Sequence, residues 1–88
     1  MRKVVSIQEV EGEGLMALLN EKVILLCLNY IYIGLLTGVN ETCVQLENPS
    51  LVYETGEWSA PTYKDAQRLP MKHLYVNIAA IEAFGKQR

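Results

Sequence analysis

The tripeptide Asn40-Glu41-Thr42 sets an amide, a carboxylate and a hydroxyl side by side between two apolar runs. An asparagine amide carries both a donor and an acceptor, the pattern that reads a nucleobase edge. The same amide can instead cap its own turn. Both readings stand open at this point. A second group lies further along, where Tyr53, Trp58 and Tyr63 are interleaved with Lys64, Arg68 and Lys72. Aromatic faces stack bases and cations track phosphates, so such a mixture can hold a single strand. It can equally pack a long loop onto the domain or onto a neighbouring subunit, since aromatics are heavily used in interfaces.

Other reactive types are thinly spread. Ser6, Ser50 and Ser59 have only His73 as a potential base, and no glycine-flanked nucleophile turn is present. Glu54 and Glu57 flank Gly56 and read as solvated acids at a surface turn. Cys27 and Cys43 are the only cysteines, both in apolar runs, and read as free thiols; a disulfide has no support from spacing. With one histidine there is no metal-ligand spacing. The expectation is a protein without catalytic machinery, metal or cofactor.

These residues must be positioned by a small frame. A chain of 88 residues makes one domain, here taken as 1–88. At this size the buried fraction of surface is low and a lone core is marginal. Yet 50% of the residues are hydrophobic and only 20% are charged. That surplus of apolar side chain predicts an oligomer, with a greasy monomer as the alternative. The net charge is −2, which argues against a coat for duplex DNA. The charge is uneven. Glu41, Glu47, Glu54 and Glu57 occupy 41–57 without a cation, whereas 58–73 carries Lys64, Arg68 and Lys72 against Asp65. The basic start is not followed by an apolar leader, and the apolar run 23–36 is broken by Asn29 and too short to span a bilayer. A soluble, cytoplasmic protein with no membrane partner is expected.

Hydrophobic spacing outlines the elements. Residues 1–12 read as an arm. Leu15, Leu18 and Leu19 share a helical face, predicting a short helix over 13–20 that Asn20 ends in the left-handed conformation. The run from Lys22 to Leu28 is apolar on both faces and reads as a strand covered on both sides. Asn29-Tyr30 reads as a tight hairpin. The following strand contains Gly34, which predicts a sharp bend or a close backbone approach. Thr42 to Asn48 alternates, with Gln45 and Glu47 on the polar side, and Asn48-Pro49 punctuates the strand before it continues. A long polar connector, 56–72, separates the third and fourth strands, with a helical turn predicted around Thr62–Leu69. His73–Ile78 and Ala80–Phe84 read as two closing strands joined at Ile78–Ala80. The expected fold is mainly β: a short N-terminal helix on a five-stranded, strongly bent barrel of SH3-like form. Open strand edges at the end of such a barrel invite pairing with another chain and, by head-to-tail rotation, a ring.

The stretch LLNEKVILLCLNYIYIGLLTGVNETCVQLEN, residues 18–48, and LYVNIAAIEAF, residues 74–84, resemble the two signatures of the Sm-like family, the RNA-binding rings that include the bacterial Hfq type. The shared features are a helix end, a strand of valine and leucine, Tyr32-x-Gly34-x-Leu36, and Gly38-Val39-Asn40. The resemblance implies an Sm fold, a homo-oligomeric ring, and binding of single-stranded RNA near the pore. The implied RNA-binding residues are Asn40, Glu41, Thr42, Tyr75 and Asn77. The implied subunit interface joins the edges of 74–78 and 80–84, with Leu74, Val76, Ile78, Ile81 and Ala83 supplying contacts. Apart from the resemblance, Trp58, Tyr63, Lys64, Arg68 and Lys72 are the candidates for a secondary nucleic-acid or partner surface. The chain departs from the family pattern where members carry Arg-Gly or a Lys-His pair, since Tyr75 is followed by Val76-Asn77. Thr42 also stands at a position often filled by a stacking aromatic, and Val44 where a base-reading asparagine is usual. A ring that scaffolds a protein partner, without nucleic acid, is therefore the alternative, and a monomeric SH3-like adaptor the third.

Overall fold

The computed structural model describes residues 14–87. The expected arm, 1–12, and the start of the expected helix lie outside them. The described chain is mainly β. It runs through a 3-10 turn at Leu15–Leu18, strands β1 (Lys22–Cys27), β2 (Ile31–Val39), β3 (Cys43–Glu54), β4 (Asp65–Arg68) and β5 (His73–Asn77), a second 3-10 turn at Ile78–Ala80, and β6 (Ile81–Lys86). All pairings are antiparallel, and the sheet order is β4-β3-β2-β1-β6, with β5 also on β3. The sheet does not close, because β5 and β6 do not pair with each other.

Among the described residues the strands number six rather than five, and the difference is β4. Asp65-Ala66-Gln67-Arg68 lacks the β-branched and aromatic residues that mark a strand. It is nevertheless laid along β3, Ser50 opposite Arg68 and Val52 opposite Ala66, with all four residues exposed. An exposed edge strand needs backbone pairing but no apolar face. The helical turn expected around Thr62–Leu69 does not form, and the connector 56–72 is interrupted by this strand.

The N-terminal helix is a single 3-10 turn. Gly14 enters it at φ 83 without a side-chain cap, Leu19 has already returned to extended backbone, and Asn20 sits at φ 68. Three residues per turn still place Leu15 and Leu18 on one side. Both, with Leu19, pack against the core as half-buried residues. At the β1–β2 turn the Cys27 N–H donates to the Tyr30 carbonyl at 3.0 Å. Asn29 closes this turn without a left-handed conformation.

The core is Val23 and Leu25 of β1, Leu36 of β2, Val44 and Leu46 of β3, and Val76 of β5. Alternation along each strand sends these to one side. Register puts Ile24, Ile33 and Ser50 in line on the opposite face. Two coincident bends shape the sheet. The β2–β3 register shifts between Ile33 and Leu35. A Cβ at Gly34 would lie 3.2 Å from the Glu47 carbonyl oxygen and 3.3 Å from the Pro49 Cα, so the close approach read from sequence is present. Opposite it, Asn48 adopts φ 52 and Pro49 is buried. At this kink β3 changes outer neighbour, from β5 over Cys43–Glu47 to β4 over Ser50–Glu54. The strand passes through Asn48-Pro49 without ending. Proline lacks an N–H, and its place between the two pairing zones removes no ladder bond from either.

Candidate nucleic-acid interface

The β2–β3 turn is organised by Asn40. Its Oδ1 accepts from the N–H groups of Thr42 and Cys43, both at 2.8 Å, and from the Thr42 hydroxyl at 3.1 Å. The Asn40 N–H in turn donates to the Cys43 carbonyl at 3.0 Å. The amide oxygen is saturated by these donors. Of the two readings open at the level of sequence, capping is what this oxygen does, and only the amide NH2 group is left for a ligand.

Asn77 is delivered to the same place by β5, where it stands opposite Cys43. The Ile78 N–H donates to the Thr42 carbonyl at 2.8 Å, tying the β5–β6 turn to the β2–β3 turn. Asn40, Glu41, Thr42 and Asn77 are all exposed. The structure thus joins residues 35 or more apart in sequence into one polar seam, to which neither turn contributes a cation. Tyr75 stands two residues before Asn77 on the same side of the strand. The residue is 63% exposed, and its hydroxyl oxygen accepts from Gln45 Nε2 at 2.8 Å. The Gln45 Oε1 accepts from the Thr37 hydroxyl at 2.9 Å. Thr37 and Gln45 were not among the candidate residues. The polar position of Gln45 in an alternating strand was the available signal, but its partner on β5 follows only from register.

The second group is not one patch. Lys64 reaches Glu54 at 3.4 Å near the end of β3, whereas Arg68 Nη2 donates to Asn48 Oδ1 at 2.7 Å and Lys72 pairs with Glu47 at 3.8 Å, both at the kink. Six residues of strand, about 20 Å, separate Glu54 from Asn48. Trp58 is exposed in the turn before β4, and Tyr63 is half-buried. Arg68 and Lys72 share a neighbourhood; Trp58 and Lys64 belong to the other end of β4.

Of the expected interface residues, Val76 points into the chain's own core, and Leu74, Ile78 and Ile81 pack against it half-buried; Ala83 is exposed. The outer backbone edges of β5 and β6 carry no strand partner among the described residues. Each edge has a hollow beside it. One, of about 240 Å³, lies between the β1–β2 turn and β5, with Leu28, Tyr30, Tyr32 and Leu74 in its lining. The other, of about 340 Å³, is lined by Leu15, Ile78, Ile81, Ala83 and Phe84 along β6. Leu28 is 70% exposed, Tyr30 55% and Phe84 44%.

Burial pushes the Cys27 thiol above its ordinary value, and burial, with smaller contributions from Cys27 and Tyr30, does the same to the Tyr32 phenol. Both cysteines are free and half-buried. Among the described residues no group of His, Cys, Asp and Glu is arranged to hold a metal ion, and no helix is long and apolar enough to cross a membrane. Comparison with protein-family models, with curated proteins and with solved structures finds no match to this chain.

Proposed function

We propose that the chain is a divergent Sm-like subunit that assembles head-to-tail into a homo-oligomeric ring and offers the Thr42–Asn77 seam, once per subunit, to single-stranded RNA. The observation that carries the assembly is the pair of edges at β5 and β6 that have no strand partner among the described residues, each flanked by exposed apolar side chains. An edge that lacks both backbone and apolar partners is stabilised by a second strand. Joining β6 of one copy to β5 of the next would cover Phe84, Leu28 and Tyr30 together. The RNA reading rests on the juxtaposition of the two turns, where Asn77 and the Asn40 NH2 group face outward with Tyr75 beside them.

A specific observation favours the second reading, a ring that scaffolds a protein. The seam holds Glu41 and no cation, and the Asn40 oxygen is already occupied. The two readings separate in one experiment. Native mass measurement gives the assembly, and titration of labelled oligouridylate and oligoadenylate at low and high salt gives the ligand. Salt-sensitive binding that Asn77→Ala weakens about tenfold supports RNA. An oligomer that binds neither strand at low salt selects the scaffold. A monomer at all concentrations removes the ring.

A further inference from the structure

We propose that the cleft over the β3 kink is a phosphate-binding site, on the opposite face of the sheet from the core and independent of the RNA reading above. The cleft measures about 380 Å³, and its lining includes Lys22, Leu35, Glu47, Asn48, Ser50 and Arg68. It exists because the β2 bulge at Gly34 and the β3 kink at Asn48-Pro49 coincide.

Register explains which side chains reach it. Lys22, Leu35 and Glu47 form one row across β1, β2 and β3, and Ile24, Ile33, Ser50 and Arg68 form the next. Lys22 and Arg68 therefore stand at diagonal corners of a small field whose floor is Ile33, Gly34 and Leu35. Both are exposed, and neither has a carboxylate partner among the described residues. Arg68 is held in place by its 2.7 Å bond to Asn48, which uses one of its five N–H donors and leaves the others for a ligand. The one carboxylate in the lining, Glu47, is matched by Lys72 at 3.8 Å. Ser50 adds a hydroxyl.

A positioned guanidinium, a second cation and a hydroxyl over an apolar floor suit a tetrahedral oxyanion on an uncharged body, that is, a phosphate ester. In a chain of net charge −2 such a spot is local, rather than part of a general basic field. The phosphate can belong to a free mononucleotide or to the backbone of an oligonucleotide, and the two sources are separable.

The test follows backbone amide and Arg68 guanidinium NMR resonances of the full chain at constant ionic strength, titrated with inorganic phosphate, uridine monophosphate and oligouridylate. Saturable shifts centred on Lys22, Ser50 and Arg68 are expected, with affinity reduced about tenfold in Arg68→Ala and again in Lys22→Ala. Tighter binding of the mononucleotide than of the oligonucleotide assigns the site to a free ligand; the reverse order assigns it to a nucleic-acid backbone. Absence of saturation with all three probes, or an affinity in Arg68→Ala and Lys22→Ala equal to that of the unaltered chain, overturns the site. Because the two residues lie on different strands and are exposed, loss of binding in both with an unchanged fold cannot be attributed to misfolding. Loss of RNA binding in Asn77→Ala leaves this site untouched, so the two proposals fail separately.

Discussion

The N–H of Ile78 donates to the carbonyl of Thr42, 2.8 Å away, and this bond joins the turn before β3 to the turn after β5. Everything proposed for the polar seam depends on that connection. It sets Asn77 beside a turn whose own shape is fixed from within by Asn40.

Asn40→Ala removes the acceptor for two backbone donors and one hydroxyl. The donors are exposed, so water replaces much of the loss. A destabilisation of about 1 kcal/mol is expected by urea denaturation. Asn40→Asp preserves the acceptor and should retain most of the stability. Equal loss in both variants would show that the cap is not what matters there.

Gly34→Ala places a methyl group 3.2 to 3.3 Å from the Glu47 carbonyl oxygen, Leu46 Cβ and Pro49 Cα. Two of these are backbone atoms at a kink, which yield less readily than a side-chain tip. The expected cost is about 1–3 kcal/mol, and larger for Gly34→Val. A neutral or stabilising result for the alanine would mean that the kink relaxes freely.

Phe84→Glu tests the proposed assembly without touching the buried core. Phe84 is opposite Leu25 in register but 44% exposed, since β6 lies at the rim of the open sheet. A charge there should shift the native mass toward the protomer while leaving the denaturation midpoint, measured under dilute conditions, within about 1 kcal/mol of its original stability. An unchanged mass would place the contact elsewhere.

Stability should fall on the alkaline side. Cys27 and Tyr32 both have folded-state pKa values above their ordinary 9.0 and 10.0. The unfolded chain therefore loses these protons first and is favoured as pH rises from about 9 toward the folded values. Below that window the two groups contribute no pH dependence. Urea titrations across this range should show the decline, and Cys27→Ser should remove its earlier part. Alkylation of Cys27 in a Cys43→Ser background should likewise lag behind that of free cysteine at the same pH.

The features legible in the sequence are those whose cause is local. Gly34 announces a close approach because no other residue tolerates one, and Asn20 takes the left-handed conformation that ends the first turn. The two-faced apolar pattern of β1 is likewise readable without knowing its neighbours. What escaped depends on partners distant in the chain. Asp65–Arg68 is polar and becomes a strand only because β3 presents an edge. Leu15, Leu18 and Leu19 fit a helix or a 3-10 turn, and Gly14 with the early exit at Leu19 decides between them. At the candidate seam, the polar types of Asn40 and Asn77 are visible, but the occupation of the Asn40 oxygen is not. The Gln45–Tyr75 bond and the meeting of Lys22 with Arg68 over one cleft follow from register, which spacing along a single chain does not encode.

The short strand β4 has a consequence for how copies of this molecule could grow. Among the described residues the sheet has three outer edges, at β4, β5 and β6, but β4 is four residues long, fully exposed and carries Asp65 and Arg68. Short, charged edges resist pairing. In the proposed assembly that leaves each copy with a valence of two. Units of valence two can join only into chains or closed cycles, whereas a third adhesive edge would permit branching and, at high concentration, a gel.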